Sequence, residues 1–251
     1  IGFTVPGTQP PVSGASQATG PGIAGALPSR GAMPALTATA MPTLPRALLC
    51  ERRELGPVFC LLFGPPRDKV VGFDLDFTII RPKNGRKFAV DEHDWEFIPG
   101  MPDKLKQVVD AGFGIVIFSN HLSSELDLAK QRLQAKLTQV HHQLRLPFTA
   151  LFALGRGNER KPGTGMFEAY TAVAQRSPIQ LAAYCGDAAG RPQDFADSDA
   201  AFAKSLGVKF LTPEQFLALD NIASLASSAP RGGPTGGGGF GGNAGGGGFG
   251  G

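Results

Sequence analysis

The stretch Lys69-Val-Val-Gly-Phe-Asp-Leu-Asp76 decides the fold, because a short apolar run ends in two acidic residues. Such a run is typical of a strand buried on both faces of a parallel sheet. Gly114-Ile-Val-Ile-Phe118 is a second run of this kind. The residues 101–110 between them predict a helix, since Pro102 suits a first helical turn and Gly112 follows the end. The order strand, helix, strand is that of a parallel βαβ unit.

The same alternation continues along the chain to residue 219. It predicts a long amphipathic helix at 122–144, capped by Ser123 or Ser124, strands at 149–154, 181–185 and 208–210, and helices at 166–174, 199–206 and 214–219. Together these elements predict an α/β fold, a Rossmann-like parallel sheet with helices on both faces. The residues 58–63 are expected to add an antiparallel edge strand.

Composition divides the chain into three parts. Of 21 prolines 11 lie in the first 66 residues, and of 35 glycines 14 lie in the last 20. We therefore expect a disordered low-complexity or targeting segment at 1–57, one domain at 58–220 and a disordered Gly-rich tail at 221–251. An organelle transit segment is the alternative for the acid-poor first part. Because residue 1 is Ile, we expect a fragment or a processed chain.

Charge and cysteine content exclude several classes of protein. The formal net charge of +3 is mildly basic and permits a polyanionic partner without requiring one. The sequence contains no run of 18 apolar residues, so no membrane span is expected. Three cysteines are too few for a disulfide framework or a four-cysteine zinc site, which points to a reducing compartment.

Polar residues follow four of the predicted strands. They are Asp74 and Asp76 after the first, Ser119 and Asn120 after the second, Lys161 after the third and Asp187 after the fourth. Ligands of an open parallel sheet bind at the carboxyl ends of its strands. A single aspartate at a strand end is commonly a helix cap, but four such loops in one chain predict a shared site.

These four motifs resemble those of the haloacid dehalogenase (HAD) superfamily of aspartate-nucleophile phosphatases. A closer likeness, over residues 58–217, is to the phosphatase domain of polynucleotide kinase 3′-phosphatase. It is carried by Phe73-Asp-Leu-Asp76, Asp94-Trp95, Arg160-Lys-Pro162 and Gly186-Asp-Ala-Ala-Gly-Arg-Pro192. The last string is the most specific of these matches.

The resemblance implies a magnesium-dependent reaction at three aspartates. Asp74 would attack phosphorus and bind Mg²⁺, and Asp187 would supply a second carboxylate ligand. Asp76 would give its backbone carbonyl to the metal, while its side chain acts as general acid and then as general base.

The resemblance also assigns the residues that would hold the phosphoryl group. Ser119 and the backbone amide of Asn120 would bind phosphoryl oxygens, and Lys161 would balance the negative charge. Asp199 would either orient Lys161 or a metal-bound water, or cap a helix.

The spacing of the motifs leaves no room for the cap domain that related enzymes of small metabolites often carry. Residues 79–98 suffice only for a hairpin flap, and 122–146 are used by one helix. The site should therefore be open and admit a phosphate at the end of a large molecule. We expect substrate contacts from Asn120, from Lys83 and Arg86 of the basic flap, and from Arg160 and Arg191.

The resemblance thus implies a polynucleotide 3′-phosphatase that removes 3′-phosphate from DNA ends through an aspartyl-phosphate intermediate, in strand-break repair. The expected partners are DNA with 3′-phosphate ends and, as further candidates, repair proteins; a monomer is expected, in the nucleus or alternatively in mitochondria. A capless phosphatase of a small phosphate monoester is the alternative function, and a non-catalytic interaction protein is a third hypothesis.

Three further expectations concern single features. Phe77 replaces a glycine of the closer family, a change that bulky residues in other branches of the superfamily make tolerable. No Gly-x-x-x-x-Gly-Lys-Ser/Thr loop occurs in the chain, so no 5′-kinase activity is expected. His141 and His142 are expected on a solvated face of the long helix.

Overall fold

The computed structural model of the protein describes residues 50–87, 89–175 and 178–228. The disorder or targeting role expected for 1–49, and the disorder expected for 229–251, lie outside the described residues.

Nine strands occur within the described residues. They are β1 (Glu51–Leu55), β2 (Val58–Phe63), β3 (Lys69–Phe73), β4 (Ile80–Arg81), β5 (Glu96–Phe97), β6 (Gly114–Asn120), β7 (Phe148–Ala153), β8 (Gln180–Cys185) and β9 (Lys209–Leu211). Seven of them form one sheet in the order β1-β2-β7-β6-β3-β8-β9, and β4 pairs with β5. Strands β3 and β6 to β9 are parallel, whereas β2 is antiparallel to both of its neighbours, β1 and β7. The predicted parallel sheet is confirmed.

Helices cover both faces of this sheet, as predicted. They are α1 (Met101–Asp110), α2 (Leu126–Leu144), α3 (Gly165–Ala174), α4 (Ser198–Ser205) and α5 (Pro213–Leu217), with 3₁₀ turns at Lys83–Gly85 and Ile222–Ser228. Helices α1, α2 and α5 pack on one face of the sheet around one apolar cluster. Helices α3 and α4 pack on the other face around a second cluster.

Helix α1 shows how local sequence sets these elements. Gly100 precedes it at φ 81°, a conformation that glycine adopts without strain, and Pro102 lies in the first turn. Leu105 and Val108 are fully buried three residues apart, so one stripe of the helix faces the sheet. Burial of each such side chain contributes about 1.5–3 kcal/mol.

The order of the strands determines where a ligand can bind. Strand β3 lies between β6 and β8, and the chain proceeds from it to β6 and β7 on one side and to β8 and β9 on the other. This reversal of direction opens a crevice beyond the carboxyl end of β3, which is the usual ligand position in open α/β sheets. Asp74 is the first residue after β3.

The start of α2 differs from the prediction. The helix begins at Leu126, with Glu125 before it, and no side chain caps its N-terminus. Ser123 lies in the preceding loop, where its hydroxyl accepts a hydrogen bond from the backbone N–H of Glu125 at 3.1 Å. The predicted cap at Ser123 or Ser124 is therefore wrong, because the serine bonds within its own turn instead.

The folded structure extends beyond residues 58–220 at both ends. Strand β2 is antiparallel as expected, but β1 pairs outside it and forms the edge of the sheet. After α5, the 3₁₀ turn places Ile222 and Leu225 in the core. Strand β1 has a single apolar residue, Leu55, so its sequence carries no apolar alternation, and its pairing with β2 places it in the sheet.

His141 is also placed differently from the prediction. It is 4 % exposed, with its ring centroid 4.9 Å from that of Phe63 and 5.9 Å from that of Phe148, whereas His142 is exposed. Burial lowers the pKa of His141. Its position in the aromatic stack reflects the rotation of α2 against β2 and β7, which helix periodicity alone does not fix.

The described residues bear on two classes of protein that the sequence excludes, membrane-spanning proteins and those held by a disulfide framework. None of their helices combines the length and the apolar character that crossing a membrane requires. Cys50, Cys60 and Cys185 are all free, and the last two are buried in the sheet.

Candidate active site

Three of the loops that follow the parallel strands meet beyond β3. Asp74 follows β3, Lys161 lies in the loop after β7, and Asp187 follows β8. The ammonium Nζ of Lys161 is 2.6 Å from Asp74 Oδ1. Carboxylate oxygens of Asp74, Asp187 and Asp199 lie within 4.8 Å of one another. The predicted convergence of these residues is thus observed.

A tight turn after β3 fixes the first two aspartates. The backbone N–H of Asp74 donates to the carbonyl of Cys185 at 2.8 Å, which ties the turn to β8. The N–H of Phe77 donates to Ile80 O at 2.6 Å, and Phe77 has φ 57°. Glycine adopts this conformation freely, so phenylalanine here carries backbone strain of about 1 kcal/mol or more. The side chain of Asp76 is 47 % exposed, which leaves it accessible to a substrate.

Lys161 is the centre of the buried polar cluster. Its side chain is 2 % exposed, and its ammonium lies 2.6 Å from Asp74 Oδ1, 2.8 Å from Asp199 Oδ1 and 2.8 Å from the hydroxyl of Tyr184. Tyr184 in turn donates to Asp199 Oδ1 at 3.1 Å. We call Asp74, Lys161, Tyr184, Asp187 and Asp199 the buried cluster.

Asp199 contacts Lys161 from the first turn of α4. The residue before that helix is Asp197, and Asp199 accepts the backbone N–H of Ala188 at 3.0 Å besides contacting the ammonium. Of the two alternatives for Asp199, the geometry therefore favours orientation of Lys161. Gly186 makes this approach possible, since a Cβ there would lie 2.4 Å from Asp199 Oδ2.

The crowding of carboxylates perturbs the pKa values in the buried cluster. Burial raises the pKa of Asp74 well above its usual value, Lys161 opposes this, and Asp199 and Asp187 add to it. Burial, followed by the charge of Asp199, raises the pKa of Asp187 to about 6. Burial lowers the pKa of Lys161, but Asp74 and Asp199 outweigh it and raise that pKa overall, so Lys161 remains a cation.

The donor set of the buried cluster fits a hard divalent cation. Three carboxylates face one ammonium, which leaves two negative charges uncompensated when all groups are ionised. Carboxylate oxygens are the ligands that Mg²⁺ prefers, and burial without a counter-charge would be costly. Asp74 and Asp187 belong to the predicted ligand set, and Asp199 was not included in it.

Asn120, at the end of β6, supports Lys161 by binding its backbone. The side chain of Asn120 accepts the backbone N–H of Lys161 at 2.8 Å and donates to its carbonyl at 3.0 Å. Asn120 therefore holds the loop that carries the ammonium. Ser119 is buried at the end of β6, 4 % exposed. Phosphoryl contacts of Ser119 and of the Asn120 amide stay predictions.

The predicted flap is confirmed as the β4–β5 hairpin. Asp94 closes its tip by accepting the backbone N–H of Val90 at 2.9 Å and Arg86 Nη1 at 3.5 Å. Lys83 Nζ donates to the carbonyl of His93 at 2.9 Å, and both basic side chains are exposed. Their contacts within the flap shape it, and their contacts with substrate stay predictions.

Arg191 and Arg160, the other two predicted substrate residues, differ in their hydrogen bonds. Arg191 donates to Asp194 at 2.9 Å, to Glu214 at 3.3 Å and to the carbonyl of Asp187 at 3.2 Å. These bonds favour a structural role for Arg191, in which it ties the Asp187 loop to α5. Arg160 is half-buried and its Nη1 has no hydrogen-bond partner among the described residues. That nitrogen is itself buried, so substrate contacts of Arg160 stay a prediction.

A groove of about 720 Å³ leads away from Asp76 between the flap and α2, and we call it the flap groove. Sequence reasoning missed three residues that line it, Arg132 and Lys136 of α2 and Phe195 of the Asp187 loop. Lys136 Nζ lies 3.9 Å from Asp76 Oδ1. Phe195 is 73 % exposed, and Lys87 Nζ from the flap lies 4.2 Å from its ring centroid. Arg132 and Lys136 are four residues apart and therefore lie on one face of α2, and this spacing is the sequence signal that could have revealed them.

A parallel sheet with this set of aspartates and a lysine at its switch point defines the fold class of HAD-like phosphatases. The fold agrees with a solved structure from Mesorhizobium loti, described as a HAD-like phosphatase. The TM-score is 0.50 and the sequence identity 18 %, over 72 % of this chain and 99 % of that one.

The model of a more specific family, polynucleotide kinase 3 phosphatase, matches residues 69–217. This chain belongs to that family. It is similar to the bifunctional polynucleotide phosphatase/kinase of Schizosaccharomyces pombe, with 38 % identity over 151 residues, 59 % of this chain and 37 % of that protein. It is also similar to the polynucleotide 3′-phosphatase of Saccharomyces cerevisiae, with 32 % identity over 205 residues, 58 % of this chain and 86 % of that protein. The chain thus spans about a third of the first relative and most of the second.

Proposed function

We propose that the protein is a magnesium-dependent polynucleotide 3′-phosphatase. The observation that carries this proposal is the buried cluster around Lys161, with Asp74 2.6 Å from the ammonium, inside the segment that matches the family. Relatives of this chain carry the names polynucleotide 3′-phosphatase and polynucleotide phosphatase/kinase.

The proposed reaction has two steps at Asp74. A carboxylate oxygen of Asp74 forms a bond to phosphorus while the bond from phosphorus to the 3′-oxygen of the nucleotide breaks. Asp76 gives a proton to that leaving oxygen, which becomes a 3′-hydroxyl. Asp76 then takes a proton from water as the water oxygen attacks the aspartyl phosphate, which releases phosphate and restores Asp74.

The charges of the buried cluster support this attack. A phosphate monoester is doubly anionic and repels an incoming carboxylate, so positive charge must be present near both. Lys161 supplies one positive charge at a fixed position. Asp74, Asp187 and the backbone carbonyl of Asp76 would hold Mg²⁺, which when bound neutralises further negative charge.

The flap groove supports a nucleic acid as substrate. Alongside the acidic side chains of Asp91, Glu92 and Glu125, it is lined by the basic side chains of Lys87, Arg132 and Lys136. Backbone phosphates of DNA are contacted by such side chains. The exposed ring of Phe195 offers an aromatic face to a base. A strand that ends in a 3′-phosphate would enter along this groove.

A panel of phosphate esters tests the proposal. Release of inorganic phosphate is measured with a 3′-phosphorylated oligonucleotide, the same oligonucleotide phosphorylated at its 5′ end, and small phosphate monoesters, each with Mg²⁺ and with a chelator. We expect turnover of the 3′-phosphate with Mg²⁺ and a loss of at least about 10⁴-fold in Asp74→Asn. The exposed Asp220→Asn serves as a control.

Other outcomes of this panel would change the assignment. Equal rates on small esters and on the oligonucleotide would favour the alternative of a small-ester phosphatase. Retained turnover in Asp74→Asn would remove Asp74 as the nucleophile, and turnover by no ester at all would leave a non-catalytic protein.

We further propose a role in strand-break repair in the nucleus. A 3′-phosphate blocks chain extension and ligation, so its removal yields the 3′-hydroxyl that those reactions need. Imaging of the tagged full-length protein before and after induced strand breaks tests this location. A purely mitochondrial signal would support the alternative compartment and contradict the nuclear one.

A further inference from the structure

Tyr184 is a buried tyrosine that none of the four motifs includes. Its ring lies in the apolar cluster beneath α3 and α4, with its centroid 5.0 Å from that of Phe202 and 6.3 Å from that of Phe118. Its hydroxyl leaves that cluster and reaches Lys161 Nζ at 2.8 Å. Tyr184 therefore connects the apolar core directly to the charged groups of the site.

The hydroxyl completes the coordination of the Lys161 ammonium. An ammonium carries three N–H donors, and three acceptors surround this one, namely Asp74 Oδ1 at 2.6 Å, Asp199 Oδ1 at 2.8 Å and the Tyr184 hydroxyl at 2.8 Å. Two of these acceptors are anions and one is neutral. A neutral third acceptor fixes the direction of the ammonium without a further negative charge in a cluster that already contains three carboxylates.

The orientation of the hydroxyl is set by its other partners. Asp199 Oδ1 at 3.1 Å and the carbonyl of Phe118 at 3.3 Å can each accept its proton. The proton is thus directed to Asp199 or Phe118, and an oxygen lone pair remains for Lys161. Burial, together with Asp199 and Asp74, raises the pKa of Tyr184 well above its usual value, so the hydroxyl keeps its proton.

The neighbouring strand leaves room for this ring. Gly72 of β3 lies opposite Tyr184 of β8 in the parallel register. A Cβ at Gly72 would approach Tyr184 Cδ2 to 2.8 Å and Leu181 Cδ1 to 3.2 Å. A side chain at residue 72, two positions before Asp74, would therefore displace the ring and with it the hydroxyl.

From this geometry we propose that Tyr184 is a positioning residue for the phosphatase reaction. It holds the Lys161 ammonium between Asp74 and Asp199, and it acts on catalysis only through Lys161. This inference rests on the proposed function, since it assigns a role in the same site.

The variant Tyr184→Phe tests the proposal because it removes the hydroxyl and keeps the ring. With a 3′-phosphorylated oligonucleotide and Mg²⁺, we expect kcat to fall roughly ten- to hundred-fold, since small misplacement of a catalytic group has effects of this size. KM should change less than about two-fold, because Tyr184 does not line the flap groove and its hydroxyl binds Lys161.

Tyr170→Phe is the matched control, since Tyr170 and Tyr184 are the two tyrosines of the chain. The Tyr170 hydroxyl is also buried, and it donates to the carbonyl of Arg67 at 2.7 Å, outside the site. Both variants lose a buried hydrogen bond, so both should lower the melting temperature. Only Tyr184→Phe should lower kcat. An equal loss of kcat in Tyr170→Phe would show that the loss comes from general destabilisation and not from the position of Lys161.

A double-variant cycle tests whether Tyr184 acts through Lys161. Added to Lys161→Ala, the change Tyr184→Phe should cause no further loss of kcat. The same loss in both backgrounds would overturn the proposal, as would an unchanged kcat in the single variant.

Crystal structures of the wild type and of Tyr184→Phe give a readout that does not depend on activity. We expect the distance from Lys161 Nζ to Asp74 Oδ1 to increase beyond hydrogen-bond length in the variant. An unmoved ammonium would overturn the positioning role even if Lys161→Ala is too inactive or too unstable for the cycle. If the wild type hydrolyses no ester, the proposed function fails, whereas the position of the ammonium still shows whether Tyr184 holds it.

Discussion

Two ion pairs of similar length lie in contrasting parts of the molecule. Lys161 and Asp74 are 2.6 Å apart, with side chains 2 % and 12 % exposed. Arg81 and Glu96 join the two strands of the flap at 2.8 Å, with side chains 45 % and 42 % exposed. Both pKa values of the first pair are raised, and that of Asp74 lies well above its usual value. Distance alone therefore says little about what an ion pair contributes; its access to water decides whether the charges interact strongly.

This contrast corresponds to a division of labour in the site. The buried cluster holds charges at fixed distances where chemistry on phosphorus needs them. The flap and the flap groove hold charges in water, where they are screened and can adapt to a flexible strand. We expect variants of the first region to have large effects and variants of the second to have graded, salt-dependent effects.

The largest expected effect on stability is that of Lys161→Met. The change leaves the buried carboxylates of Asp74 and Asp199 without their cation, and removal of one partner of a buried ion pair costs about 3–5 kcal/mol. Urea unfolding followed by circular dichroism measures the free energy of unfolding. Exposed Lys204→Met of α4 is the control. If Lys161→Met lowers the free energy of unfolding by less than about 1 kcal/mol, the proposed difference between the buried and the exposed ion pair is wrong.

A smaller effect is expected from the pH dependence of the metal-free protein. The pKa of Asp187 is about 6 in the folded state and about 3.9 in the unfolded state, so the folded state binds its proton more tightly. The resulting stabilisation is full below about pH 4 and is lost as the pH rises through 6. It amounts to about 1–2 kcal/mol, because Asp187 is only partly buried.

Calorimetry of wild type and Asp187→Asn isolates this contribution. The wild type should lose more stability than the variant between pH 4 and pH 7, and the difference includes the part of the Asp74 pKa shift that Asp187 causes. Mg²⁺ should raise the melting temperature of the wild type more at pH 7 than at pH 5, since ligands bind in their ionised form. Parallel pH curves for the two proteins would show that Asp187 is not the responsible group.

A still smaller effect is expected at Arg132 in the flap groove. Arg132→Ala should raise the KM for a 3′-phosphorylated oligonucleotide about ten-fold at low salt, because it removes a contact with backbone phosphate. The slope of log affinity against log salt should decrease by about one. Lys204→Ala serves as the basic surface control. An effect of Arg132→Ala that does not depend on salt would contradict the role of a screened phosphate contact.

The smallest effect is expected for the exposed pair of the flap. Arg81→Met should change the free energy of unfolding by less than about 1 kcal/mol, since two exposed charges gain little from each other in water. Urea unfolding under the conditions used for Lys161→Met allows a direct comparison. A loss similar to that of Lys161→Met would show that the environment does not separate the two pairs.

Much of the active site could be predicted because each of its residues follows a strong local pattern. Asp74 and Asp187 come one and two residues after apolar strands, and Lys161 lies between β7 and β8. The order of these segments places them at one edge of the sheet whatever the detailed packing. The order of the strands along the chain and their apolar periodicity therefore suffice to predict that these three residues meet.

Other features depend on contacts that local patterns do not contain. Tyr184 stands in an apolar strand, and its polar role depends on the ring filling the space above Gly72. Arg132 and Lys136 share a helix face, but a solvated face has the same spacing. The strand β1 is charged and exposed, so only its pairing with β2 reveals it. These features arise from tertiary packing, which a single sequence does not specify.

The two outer strands of the sheet also bear on how copies of the protein behave when crowded. On one side, β1 presents charged side chains that pair with each other, Arg53 with Glu51 and Arg52 with Glu54. On the other side, β9 is only three residues long. A short or charged border strand is a poor template for the addition of a strand from another molecule. Both borders should therefore resist growth into intermolecular β-aggregates.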